Sequence, residues 1–290
     1  MGGFWCCATI AAAGVAAMPI ASPAAPQTAP AVQKSAENVA SAAPATPGFV
    51  ALARRFADAP VVARVRVTKA VRVKDAGPET PGRHYVEATL VTLLRAPGPL
   101  APTLRFLADL APDSRGRMPK VVKKEFLIAA SPATGGALRL LDGGALVPAD
   151  PATEERVRVL VAAAAAPDAP DRVTGVAEAF HTPGTLPGES ESQIFLATAG
   201  GRPAALSVLR RPGEEPSWSA SFGEIAGSGA APARDTLAWY RLACALPAAL
   251  PAAVAATLDP GARAAVATDY AFVLRSLGPC ADAPRDQPAG

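Results

Sequence analysis

Between residues 61 and 74 the odd positions are Val61, Ala63, Val65, Val67, Lys69, Val71 and Val73, while Arg64, Arg66, Thr68, Arg72 and Lys74 fall on even ones. An extended chain turns successive side chains to opposite faces, so this alternation predicts a strand with one dry and one basic face and a single defect at Lys69. Residues 84–95, 103–110 and 120–130 are also rich in β-formers and are divided by Pro and Gly clusters. Residues 138–141 and 145–147 flank Asp142, Gly143 and Gly144, whose tolerance of positive φ predicts a tight hairpin. The period then changes: Val157, Leu160 and Val161 stand at helical spacing after Asp150, Pro151 and the Glu154, Glu155 pair, which suit a helix start. Five or six short strands and one helix fit a small closed barrel, because closure removes exposed strand edges.

The second half repeats the strand signal. Residues 172–180, 193–199, 203–211 and 217–225 read as strands joined by a loop at 181–192, by Gly200 and Gly201, and by residues 212–216. Links this short favour an antiparallel meander. In the last strand Trp218, Ala220 and Phe222 alternate with Ser217, Ser219 and Ser221, giving a dry and a wet face. Two helices are predicted to cover the dry one. The first, at 235–246, carries Leu237, Trp239, Leu242 and Leu246; the second starts at Asp259 and Pro260, carries Val266, Tyr270, Val273, Leu274 and Leu277, and stops at Gly278. The fold class expected is therefore α+β: a small five-stranded OB-like β-barrel followed by an antiparallel β-meander domain packed with two C-terminal helices.

Within residues 61–147 the valine-alternating first strand, the LLRAPGPL end of the second, the FLIAASP strand and the closing GALRLLDGG segment together carry a family likeness. The stretch resembles the OB barrels of netrin-like and tissue-inhibitor-like exported modules. That resemblance implies a fold and no activity, since the metalloprotease inhibitors among those modules use a cysteine at the mature N-terminus and residues 61–147 contain none.

Composition adds a compartment. Residues 4–17 form an uncharged apolar run, too short for the roughly 20 residues that span a bilayer and of the right length for a signal peptide. Cleavage after Ala24 fits the small residues Ser22 and Ala24; initiation at Met18 is the alternative and would remove the leader. The expected organisation is a signal peptide at 1–24, an Ala/Pro-rich disordered linker at 25–48, the barrel at 49–166, an α+β domain at 167–280 and a disordered tail at 281–290. Charge supports the internal boundary, with net +7 over residues 49–166, net −4 over residues 167–290 and a neutral start, together the +3 of the whole chain. The mature chain keeps two cysteines, Cys244 and Cys280, and a periplasmic or secreted location predicts that they pair. Such a bond needs the two predicted helices to cross or to end at the same pole, because a simple antiparallel hairpin would hold the cysteines about 15 Å apart.

Candidate chemistry is sparse. The chain has two histidines, His84 and His181, and lacks the spacing of a zinc site, a nucleophile elbow, a P-loop or a dinucleotide fingerprint. No cofactor and no metal is implied. The densest polar segment holds His181, Glu189 and Glu191, where carboxylates beside an imidazole would do acid–base work. The basic strand face of Arg64, Arg66, Arg72 and Lys74, joined by Arg115, Arg117, Lys120, Lys123 and Lys124, is the candidate binding surface. Few aromatics and the interleaved Asp75, Asp109, Asp113 and Glu125 disfavour nucleic acid and leave an anionic envelope component or another envelope protein as partner. The function expected is an exported, non-catalytic binding or interaction protein of a bacterial-type cell envelope, with no transmembrane span in the mature chain. The competing expectation is an envelope hydrolase built on the His181 loop.

Overall fold

The structure is a computed structural model of the chain and describes residues 47–74, 82–112, 115–141, 146–223 and 230–282. The leader, almost all of the linker, the turn at 77–81, Asp142 to Gly144 and the tail beyond 282 lie outside the described residues.

The fold is α+β. Strands β1 (Val61–Arg72), β2 (Arg83–Arg95), β3 (Thr103–Asp109), β4 (Glu125–Pro132) and β5 (Leu138–Leu140) run in the order β1-β2-β3-β5-β4, and β1 pairs again with β4 to close the barrel. Every junction is antiparallel except β3 to β5. The inward residues of each strand fill it, with Val65, Val67, Val86, Phe106, Ile128 and Leu138 all buried.

Three sequence expectations change. Register shifts in β1, the last between Val67 and Lys69, flip the phase, so Val71, expected inside, is 48% exposed. Lys123 has φ 68°, which breaks an extended path, so β4 starts at Glu125, later than the 120–130 pattern suggested. The turn expected at Asp142 to Gly144 lies outside the described residues, and among those described its flanking strands, β5 and the two-residue β6 (Val147–Pro148), both bond to β4 and not to each other.

The first helix was not expected at all. Helix α1 (Phe49–Phe56) turns Leu52, Ala53 and Phe56 against Val62, Leu127 and Ala129, and helix α2 (Pro151–Ala165), capped by Asp150, adds Val157, Leu160 and Val161 to the same apolar layer.

Strands β7 (Val173–Pro183), β8 (Ser190–Thr198), β9 (Ala204–Arg210) and β10 (Ser217–Phe222) form the antiparallel meander in the order β10-β9-β8-β7. Helices α3 (Leu237–Ala243), α4 (Ala252–Ala256) and α5 (Pro260–Leu277) share its core, Trp239, Leu242, Val266, Tyr270 and Val273 packing with Ile194, Leu206 and Val208. The short α4 lets the chain double back, so α3 and α5 end at the same place and Cys244 and Cys280 stand at disulfide distance, with Cα atoms 4.9 Å apart.

Helices α1 and α3 belong to both layers: Val50 and Trp239 lie in the meander core, Leu52 and Leu237 in the layer against the barrel. Polar bonds pin this joint. Arg95 donates to the carbonyls of Ala57, Ala59 and Val161, and the buried Arg241 grips both oxygens of Asp58 at the end of α1. The hydrogen bonds from Arg241, reinforced by its charge and those of Arg172 and Arg95, hold the Asp58 carboxyl below the usual carboxylate range despite partial burial. A carboxyl whose pKa is depressed by folding adds stability above its unfolded pKa and loses it as pH falls through the folded value. The stability gap between the protein and its Asp58→Asn variant, read from urea midpoints, is therefore expected to be constant near neutrality and to shrink below about pH 4. A gap unchanged down to about pH 2 would refute this role for the ion pair.

Candidate functional site

Alternation on the barrel strands places Arg83, Tyr85 and Glu87 of β2 and Arg105, Leu107 and Asp109 of β3 on the outer surface, between inward residues such as Val86 and Phe106. Strand register then makes rows. Arg83 stands opposite Asp109, Glu87 opposite Arg105, and Leu107 is flanked by Tyr85 on one side and Arg139 of β5 on the other. Beyond β4 the chain makes a single 3₁₀ turn at Thr134–Gly136, with Gly135 and Gly136 at φ 68° and 71°, before re-entering as β5.

That turn and the β2, β3 and β5 surface enclose an open cleft of about 540 Å³ lined by Tyr85, Arg105, Leu107, Thr134 and Arg139 among others. Leu107 is 47% exposed within it. Three of its polar residues are already committed. Arg83 binds Asp109 through two nitrogens at 2.9 and 3.0 Å and holds that carboxyl below its usual range, and the Tyr85 hydroxyl donates to Glu87 at 3.1 Å. Desolvation, then the bond to Glu87, raises the Tyr85 phenol above its usual value. The guanidinium groups of Arg105 and Arg139, both exposed, make no ion pair or side-chain hydrogen bond among the described residues.

The basic face read from the sequence divides. Arg64 is bound by Glu125 and Glu154, and Arg66 by Glu125, whose carboxyl is lowered first by Arg66 and then by Arg64. Arg72 and Lys74 lie exposed toward the far end of β1. Arg115, Arg117, Lys120, Lys123 and Lys124 are exposed on the segment before β4, which joins β1 through bonds between Lys123 N and Val67 O and between Val67 N and Lys124 O. Lys120 and Lys123 line a second cavity of about 380 Å³ with His84 and Leu110. His84 is fixed by a 2.6 Å bond between its Nδ1 and the Gly82 carbonyl, at a close approach where a Cβ on Gly82 would lie 2.0 Å from Leu110 O.

The polar loop is shorter than its sequence suggested, because His181 lies in β7 and Glu191 in β8. His181 pairs across the strands with Ser192, Nδ1 to Oγ 2.9 Å, and the Ser192 hydroxyl donates to Asp269 Oδ2 at 2.6 Å. Arg210 Nε donates to the other oxygen of Asp269 at 2.6 Å. A hydroxyl has one proton, and here it goes to Asp269, so His181 donates from Nδ1 to the Ser192 oxygen. Glu189 does not join this network; its carboxylate accepts from the Thr185 and Leu186 amides and closes the loop. Glu191 accepts from Gln193 and, as the strand neighbour of Ser192, faces the other side of the sheet.

A Ser-His-Asp triad places the imidazole between hydroxyl and carboxylate. Here the hydroxyl is in the middle and Ser192 is wholly buried, an arrangement that orders β7, β8 and α5. Among the described residues no three His, Cys, Asp or Glu side chains are placed to share a metal ion, and no helix is long and apolar enough to cross a membrane.

Compared with known proteins, the chain matches no family model and no curated protein. Sequence reading singled out neither Arg105 and Arg139 nor Asp269. For Leu107 a signal existed: between Leu104, Phe106, Ala108 and Leu110 it is the one aliphatic residue on the wet parity of β3. For Asp269 the signal was a charge at helical spacing within the stripe of Val266, Tyr270 and Val273.

Proposed function

We propose that this chain is a non-catalytic binding protein that works outside the cytosol, periplasmic or secreted, and holds an anionic component of the cell envelope on the outer face of its barrel. The observation that carries the reading is the pair of guanidinium groups, Arg105 and Arg139, at one concave site without an ion pair or side-chain hydrogen bond among the described residues. Concave sites with a few convergent polar groups are where small ligands bind, and the β2–β3 face is the ligand surface of many OB barrels. The Cys244 and Cys280 pair suits an oxidising compartment, and the likeness of residues 61–147 to exported netrin-like modules points the same way.

The alternative, an envelope hydrolase using His181, Glu189 and Glu191, is favoured by an imidazole oriented by its bond to Ser192 and disfavoured by both glutamates being bound elsewhere. A binding role is tested with the full chain expressed under its own leader. It is expected outside the cytosol with Cys244 and Cys280 oxidised, and it should be retained on an immobilised acidic polysaccharide or on phosphatidylglycerol vesicles in a salt-sensitive way that Arg105→Gln with Arg139→Gln abolishes. Recovery from cytosol with free thiols, or retention indifferent to both substitutions, would refute the proposal.

A further inference from the structure

Resting on that reading and naming its ligand class, we propose that the cleft between β3, β5 and the 3₁₀ turn binds a single-chain amphiphilic anion: one acyl or alkyl chain ending in a carboxylate or phosphate. The donor and acceptor inventory selects the head. Arg105 and Arg139 offer planar arrays of free N–H donors, the arrangement that best matches carboxylate and phosphate oxygens. Asp109, the one carboxylate lining the cleft, is occupied by Arg83, and the Tyr85 hydroxyl is spent on Glu87. Sugar hydroxyls need acceptors as well as donors, and among the described residues the Thr134 hydroxyl is the one uncommitted side-chain acceptor lining the cleft, against two guanidinium groups. Base stacking along a strand needs a track of aromatic faces, and Tyr85 is the only outward aromatic lining the site.

The apolar surface selects the tail. Leu107 sits between Tyr85 and Arg139 with nearly half its surface open to water, and Ala133 and Ala137 add to the apolar lining. A volume of about 540 Å³ matches a small-molecule site and not an extended polymer groove. With Arg105 two residues before Leu107 on the same face and Arg139 beside it, a chain lying over Leu107 brings its head group to both cations.

Calorimetric titration of the full chain with dodecyl phosphate and dodecanoate, each below its aggregation concentration, tests this. Inorganic phosphate, dodecanol and phosphatidylglycerol vesicles serve as the comparison probes. One-to-one binding of both amphiphiles is expected, at least ~10-fold tighter than inorganic phosphate or dodecanol, and weakened at least ~10-fold by R105Q with R139Q. Leu107→Asp should weaken dodecyl phosphate more than it weakens inorganic phosphate, because it removes the apolar surface as well as opposing the charge. Thermal melts of the variants should match the parent, since these side chains are solvent-facing. Equal affinity for inorganic and dodecyl phosphate, indifference to R105Q with R139Q, or association with vesicles alone would overturn the assignment. If the acidic polysaccharide is still held through Arg105 and Arg139 while the amphiphiles fail, only the ligand class falls; if neither is held, the binding reading falls with it.

Discussion

Replacing Trp239 by alanine is expected to destabilise the protein by about 4 kcal/mol, the usual scale for removing a large aromatic from a filled core. The side chain is 1% exposed and sits where three elements meet. Its ring lies 6.4 Å from that of Phe49 in α1, the Arg234 guanidinium stands 4.7 Å above it, and its Nε1 donates to Leu277 O at the end of α5 at 2.9 Å. Alanine would open a cavity, strand the Leu277 carbonyl and unseat α1, the helix that also packs on the barrel. Trp239→Phe separates these effects: it keeps most of the apolar area and loses the hydrogen bond, so a loss of about 1–2 kcal/mol is expected. Urea unfolding of both variants measures this. A loss below about 1 kcal/mol for Trp239→Ala would mean that the joint is held by the polar clamps of Arg95 and Arg241 and not by the aromatic.

Separating Cys244 from Cys280 should cost a similar amount. The bond closes a loop of 36 residues in sequence, for which the chain-entropy model gives about 4 kcal/mol through restriction of the unfolded chain. The expected result is a matching fall in the denaturation midpoint on reduction and in the Cys244→Ser, Cys280→Ser double variant. The loss should concentrate in the α3–α5 helices, with the barrel amides keeping their hydrogen-exchange protection. Agreement between reduced protein and double variant would show that loss of the bond, and not the serine substitution, sets the effect. An unchanged midpoint in reductant would refute the stabilising role and remove one support for work outside the cytosol.

The strands were legible because each is a local statement. In β3, Leu104, Phe106 and Ala108 alternate with Thr103, Arg105 and Leu107, and that parity holds wherever the strand pairs. The phase beyond Val67 was not legible, since a bulge is set by how two strands meet. Helix α1 carried a readable stripe in Val50, Leu52, Ala53 and Phe56, but eight residues alone make a marginal helix, and its stability comes from the barrel and α3. The basic residues of β1 were legible as a pattern and not as a surface: Glu125 and Glu154 reach Arg64 from 61 and 90 residues away, and Glu125 also binds Arg66. The polar loop shows the same range effect in reverse. Glu189, Ser190, Glu191 and Ser192 are neighbours in sequence, yet strand alternation sends Glu191 and Ser192 to opposite faces, and Ser192 meets Asp269 77 residues on.

The sequence by itself determined the α+β class, the strand order of the meander and the position of the last helix, because period-two and period-3.6 patterns and short links act over a few residues. Only the tertiary structure decided which charges are free. Among the described residues Arg105 and Arg139 make no ion pair while Arg64, Arg66, Arg83 and Arg210 are consumed, and β5 enters parallel beside β3 to bring Arg139 against Leu107. The physical reason is range: a hydrophobic pattern is written in neighbouring residues, whereas the pairing of a guanidinium depends on which distant carboxylate the fold carries to within about 4 Å of it.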